Sequence, residues 1–137
     1  MYSRTPSNIE RARREFGGAL EIVGRPGSYR ALQVTDLYVD DDYDCKRVVA
    51  PSNLPPGLVA EFEKSSLAIA EALELNGVMD VEAILSRGEL KILEIDARLP
   101  SQTPTAVYWS TGSNMVQLLG DLFLNRKTRI QGRFSNT

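Results

Sequence analysis

Residues 77–98 read GVMDVEAILSRGELKILEIDAR, and the way this stretch folds back on itself decides the architecture. Residues 78–85 and 90–96 alternate apolar with polar positions around Ser86-Arg87-Gly88-Glu89, the pattern of a hairpin with one buried face. Alternation assigns Met79, Val81, Leu93 and Ile95 to that buried face and sets Asp80, Glu82, Glu94 and Asp96 together on the other. Both strands satisfy this only if the numbers of paired residues add to an even total. A two-residue loop at Arg87-Gly88 gives an odd total. A three-residue loop from Ser86 to Gly88, with Gly88 left-handed, pairs Asp80 with Glu94 and Glu82 with Ile92, and is therefore expected.

Carboxylates held at strand spacing on one face repel one another. With oxygen donors alone, a hard cation such as Mg²⁺ or Mn²⁺ suits the face, completed by phosphate oxygens and water. The alternative is a solvated sheet face whose charges are spread by Arg87, Lys91 and Arg98.

Upstream, residues 19–24 (ALEIVG) and 29–39 are two alternating runs joined by the turn Arg25-Pro26-Gly27-Ser28, so a second hairpin is expected. An acidic cluster follows (Asp40, Asp41, Asp42, Asp44), then a short strand over 46–50 and a Pro-rich connection. Residues 58–76 carry apolar side chains at helical spacing (Leu58, Phe62, Ile69, Leu73), with Gly77 at the C-cap. A final helix spans 114–124. Ser7 and Glu10 form a capping-box pattern in residues 1–18, a loosely ordered opening with little apolar face, and residues 126–137 form a basic, weakly patterned tail. The expected organisation is one α+β unit over residues 19–125, a mainly antiparallel sheet of two hairpins with helices on one face.

Of the 137 residues, 16 are Lys or Arg and 18 are Asp or Glu, a net charge of -2, which argues against a nucleic-acid partner. No apolar run approaches the roughly 20 residues that span a bilayer, and Met1 is followed by no signal-peptide core, so a cytoplasmic protein without a membrane partner is expected. Histidine is absent and Cys45 stands alone, which removes the usual zinc sites, Ser-His-Asp triads and disulfides. Chemistry here rests on carboxylates, Arg, Lys or backbone groups, with Cys45 structural.

An acidic residue in the first strand followed by Glu-x-Asp-x-Arg at the end of the second resembles the ATP-grasp ligases. The longer string EIDARLPSQTPTAVYWSTGSNMVQLL, with YRALQVTDLYVDDDYDCKRVVAP upstream, is similar to the branch of that superfamily that serves pyrrolysine biosynthesis by joining 3-methyl-D-ornithine to the side-chain amine of L-lysine. The resemblance covers residues 19–119. It implies the C-terminal half of an ATP-grasp domain, with ATP and Mg²⁺ (or Mn²⁺) as cofactors and small amino acids as substrates. It further implies Glu82, Glu94 and Asp96 as metal ligands, Glu82, Glu94 and Arg98 as nucleotide-binding residues, and Arg98 as the catalytic cation beside the transferred phosphoryl group. The reaction implied is attack of a carboxylate on the γ-phosphate of ATP, then displacement of phosphate from the acyl-phosphate by an amine. Asp80 is one alternation step from the ligands and falls behind them.

Around this core, Ser101 and Thr105 in the Pro-stiffened loop 99–105 are candidates to hold an amino-acid carboxylate or phosphate; the alternative is that they satisfy a turn. Asp44 is a candidate for a substrate ammonium, against a solvated acidic loop. The family's first half, which supplies phosphate-binding lysines and much of the adenine pocket, has no counterpart here, so the chain reads as truncated. Three readings follow: a ligase part completed by a separate chain or a homodimer, a non-catalytic Mg²⁺ or nucleotide module, or an inactive remnant. A different ATP-grasp enzyme, an amino-acid ligase or one like carbamoyl-phosphate synthase, is the alternative among enzymes.

Overall fold

The computed structural model describes residues 16–127 apart from Tyr43; the expected opening helix and most of the expected tail lie outside the described residues. Six strands form one antiparallel sheet: β1 (Gly17–Arg25), β2 (Ser28–Ala31), β3 (Thr35–Val39), β4 (Cys45–Val49), β5 (Gly77–Ser86) and β6 (Glu89–Asp96). Their order is β4-β3-β1-β5-β6, with β2 also on β1. Three helices lie among the described residues: α1 (Pro56–Ala72), α2 (Thr103–Thr111) and α3 (Met115–Phe123).

β1 organises the sheet. One edge pairs with β5 along all but its last residue, from Gly17 opposite Ile84 to Gly24 opposite Gly77. The other edge is shared by β2, joined through the Pro26-Gly27 turn, and β3. The run 29–39 is thus two strands rather than the single one expected. Leu32 N still donates to Glu21 O at 2.9 Å, but Gln33 and Val34 leave the ladder, Val34 is buried in the core, and pairing resumes one residue out of register.

α1 buries Phe62, Ser66 and Ala70, one helical face at intervals of four. They join Leu20 and Ile22 of β1 and Met79, Val81 and Ala83 of β5 in the main core. The helix begins two residues before the expected start because Pro56 has no N–H to leave unsatisfied in the first turn. It also ends four residues early. Glu74, at φ 48°, takes the left-handed cap position expected of Gly77, with Glu74 N donating to Glu71 O and Leu75 N to Ala70 O, and the buried Leu75 packing into the same core. Gly77 instead opens β5.

α2 is a helix where the sequence reading had a loop. Pro104 sits in its first turn and Gly112, left-handed at φ 76°, closes it with Gly112 N donating to Tyr108 O. α3 follows within one residue of its expected bounds, its N-cap Asn114 accepting from Gln117 N at 3.1 Å. Among the described residues no helix is long and apolar enough to cross a membrane.

Candidate functional site

The register of three strands builds the site. Leu20, Ile22, Met79 and Val81 face α1, so their neighbours in β1 and β5 face the other way. Across β1, β5 and β6 the second face carries two rows, Ala19, Glu82 and Glu94 in one, Glu21, Asp80 and Asp96 in the other. Five of these six positions are carboxylic acids.

The shared carboxylate face is the one expected, but the device that creates it differs. The hairpin loop is the two-residue Arg87-Gly88, with both residues at positive φ (53° and 80°), and pairing starts with Ser86 opposite Glu89. That odd register would set Glu82 against Leu93. A bulge between Glu82 and Ala83 on one strand, and Ile92 and Glu94 on the other, absorbs Leu93 and restores the even total. The pairs are therefore Asp80 with Asp96 and Glu82 with Glu94, not Asp80 with Glu94 and Glu82 with Ile92. Leu93 and Ile95, expected in the core, are 60% and 40% exposed, because β6 is the sheet edge and Leu93 is the bulged residue. Accordingly, Leu93→Thr is expected to change unfolding free energy by no more than about 0.5 kcal/mol, as at other exposed positions. A denaturant titration checks this; a loss of 2 kcal/mol or more, typical of a core leucine, would contradict the bulge.

Burial deepens from the edge inward. Glu94 is exposed, Asp96 and Glu82 are half-buried, Asp80 is 4% exposed and Glu21 is completely covered. Burial, then the charges of Glu21 and Glu82, pushes the Asp80 carboxyl up to about 7, with Arg98 opposing and Asp96 adding to the rise. Glu82 is raised by burial, then by Glu94 and Asp96, again against Arg98. Burial also raises Glu21, partly offset by the approach of the Thr103 hydroxyl, which donates toward its carboxylate, and by a backbone N–H. Neither oxygen of Glu21, nor Asp80 Oδ1, nor Thr103 Oγ1 has a hydrogen-bond partner of good geometry. Arg98 Nη2 meets Asp96 Oδ2 at 2.7 Å on the exposed side, placing the candidate phosphate-facing cation beside a candidate ligand.

Among the described residues no three His, Cys, Asp or Glu side chains form a ready-made metal cage. Mg²⁺ does not require one, since it keeps waters and takes one or two carboxylates together with substrate phosphates. Glu82, Glu94 and Asp96, all-oxygen and reachable from solvent, fit a hard cation held in that way, and the charges of Glu94 and Asp96, which add to burial in raising Glu82, are what such a cation would relieve.

The remaining candidates lie elsewhere. Asp44 is exposed in the β3–β4 connection, 3.3 Å from Lys46, which also meets Asp40 at 3.1 Å, so the acidic cluster carries its own counter-charge. Ser101 and Thr105 are exposed, Ser101 just before α2 and Thr105 in its first turn. Gln102 Nε2 donates to Cys45 O at 3.3 Å, which draws the Ser101 stretch toward the Asp44 loop. Glu21 and Thr103 lie beside these carboxylates without being candidates of the sequence: Glu21 is signalled as a glutamate flanked by Leu20 and Ile22 in an alternating strand, whereas Thr103 has no local signal, since the pattern of 99–105 predicts a loop.

No family model matches the chain. Over 101 residues, 74% of the chain, it is 46% identical to 3-methyl-D-ornithine--L-lysine ligase of Methanosarcina mazei, of which it covers 26%. A shorter segment of 51 residues, 37% of the chain, is 39% identical to the carbamoyl phosphate synthase large chain of Brucella suis, covering 4% of it. In three dimensions, 84% of the chain superimposes on the biotin carboxylase domain of Hydrogenobacter thermophilus 2-oxoglutarate carboxylase, solved with MgADP, ADP and bicarbonate, at TM-score 0.75 and 18% identity, covering 26% of that chain. The chain thus spans about a quarter of the length of the curated ligases it matches. In fold the chain resembles part of an ATP-grasp domain, and over 74% of its length it is similar in sequence to the 3-methyl-D-ornithine--L-lysine ligases.

Proposed function

We propose that this chain is the Mg²⁺- and ATP-binding part of a cytoplasmic carboxylate-amine ligase, and that its substrates are those named for its relatives, 3-methyl-D-ornithine and L-lysine. One observation carries the reading: the bulged β5–β6 register sets Glu82 opposite Glu94 and brings Asp96 onto the same face, with Arg98 two residues beyond. Glu82, Glu94 and Asp96 would hold the metal, and the metal, when bound, would offset charge spreading over the transferred phosphoryl oxygens. Arg98, free to turn from Asp96, orients and neutralises the same phosphoryl group. The carboxylate of one amino acid is activated as an acyl-phosphate and the amine of the other displaces phosphate, so no protein nucleophile is needed, in keeping with a chain without histidine.

The rest of the ligase is supplied from outside residues 16–127, by further sequence, by a separate chain or by a second copy. Apolar side chains left in solvent support such an association: Trp109 (81% exposed), Val116 and Phe123 on α2 and α3, and Leu93 on β6. The structural neighbour was itself solved as a domain dimer. Isothermal titration of the chain with a non-hydrolysable ATP analogue tests the site. Saturable heat that requires Mg²⁺ is expected; a folded chain that gives none at millimolar nucleotide would sink the reading.

A further inference from the structure

Behind the exposed ligands lies a group of acceptors that metal binding does not use. Glu21 from β1 and Asp80 from β5 stand directly opposite each other, and Thr103 opens α2 beside Glu21. All three are more than nine-tenths buried, and beyond the approach of Thr103 to Glu21 four of their oxygens, both of Glu21 with Asp80 Oδ1 and Thr103 Oγ1, lack a hydrogen-bond partner of good geometry. Buried acceptors are rarely left so, because each one forgoes water without a replacement. Among the described residues the Lys46, Lys91 and Arg98 head groups lie on Asp40 and Asp44, on Glu89 and on Asp96, away from these acceptors.

We propose that Glu21, Asp80 and Thr103 form an inner pocket for the primary ammonium group of an amino-acid substrate. An ammonium brings one positive charge and three N–H donors on a compact head, which matches two carboxylates and a hydroxyl from three directions. A guanidinium is a broad planar fork, ill-suited to a closed space. A divalent ion would complete its shell with waters or phosphates, which oxygens buried this deeply do not admit. Asp80 keeps slight contact with solvent beside Asp96 and marks the side of entry, so an amine held here lies next to the proposed phosphoryl-transfer face. The choice of an amino acid as carrier rests on the ligase reading; the demand for a donor-bearing cation does not.

Thermal unfolding of the full chain at pH 7.5 and constant ionic strength tests this, with n-butylammonium, L-lysine, ammonium and tetramethylammonium chlorides as probes. n-Butylammonium and L-lysine are expected to raise the midpoint saturably by about 3 °C or more, and tetramethylammonium, which has no N–H, not at all. Glu21→Gln, which keeps the shape and removes a buried charge, and Thr103→Val should each abolish the rise. Equal effects of all four salts, an effect of ammonium alone, or an effect that survives in Glu21→Gln would overturn the proposal. The two readings separate cleanly: Glu21→Gln should keep Mg²⁺-nucleotide heat while losing the ammonium response, and Glu94→Gln with Asp96→Asn should do the reverse.

Discussion

Asp80→Asn is expected to raise the thermal midpoint of the metal-free chain at pH 7.5 by roughly 5 °C or more, and to flatten its fall between pH 4 and pH 7. Asp80 is buried, faces Glu21, Glu82 and Asp96, and has Arg98 as its one opposing charge, so its carboxyl ionises only near 7. A carboxyl raised in the folded state binds its proton more tightly there than in the unfolded chain. As pH climbs past about 4 the unfolded chain releases that proton freely while the folded one does not, and stability drains away until the folded group also ionises near 7. One pKa unit is worth about 1.4 kcal/mol, so even a share of this window is visible in a melt. Circular-dichroism melts at pH 4.5, 6.0 and 7.5 decide it. A wild-type midpoint that does not decline with pH, or that declines equally in Asp80→Asn, would show that Asp80 is not held protonated. Saturating Mg²⁺ and nucleotide should shrink the slope, because a cation on the face favours ionised carboxylates.

The same residues show how far a sequence can be read. Parity of pairing follows from alternation, and it correctly brought Asp80, Glu82, Glu94 and Asp96 to one face. It could not choose between a longer loop and a bulge, since both add one residue, and local turn chemistry settled the matter in favour of Arg87-Gly88. Leu93 looked like core because apolar residues usually are; as the extra residue of an edge strand it is released from alternation. The missing α2 is a different failure. Pro104 and Gly112 are the bounds a short helix prefers, but Ser, Thr and Gln between Pro100 and Pro104 weigh toward a turn, and only packing of Val107 and Thr103 into the interior favours the helix. Glu21 falls in the expected strand, but its place beside the carboxylate face depends on the cross-strand neighbour Asp80, which is a fact of topology. The pairing of β1 with β5, from Gly24 opposite Gly77 to Gly17 opposite Ile84, joins segments far apart in the chain and is invisible to local pattern.

Glu94→Gln with Asp96→Asn is expected to weaken Mg²⁺-dependent nucleotide binding by 100-fold or more, the largest effect on function of any change considered. Ligand substitutions do more than the 10- to 100-fold typical of groups that merely orient a ligand, and here two of three candidate ligands lose their charge while keeping their shape. Both sit on the edge strand, Glu94 in solvent and Asp96 half-covered, so neither supports the core and the variant should fold with wild-type stability or better, relieved of part of the repulsion that raises Glu82. Arg98 supplies the internal contrast. In the metal-free chain it neutralises Asp96; with that partner turned to an amide it is freer to reach phosphate. A site that worked by phosphate attraction alone would therefore bind nucleotide more tightly in the double variant, whereas a site that works through a shared cation loses binding. Titrating nucleotide into both proteins with and without Mg²⁺ distinguishes these, because only the metal-dependent share of the heat should disappear. Retention of that share within a factor of about three of wild type would mean that the carboxylates spread charge across a solvated sheet face and hold no metal.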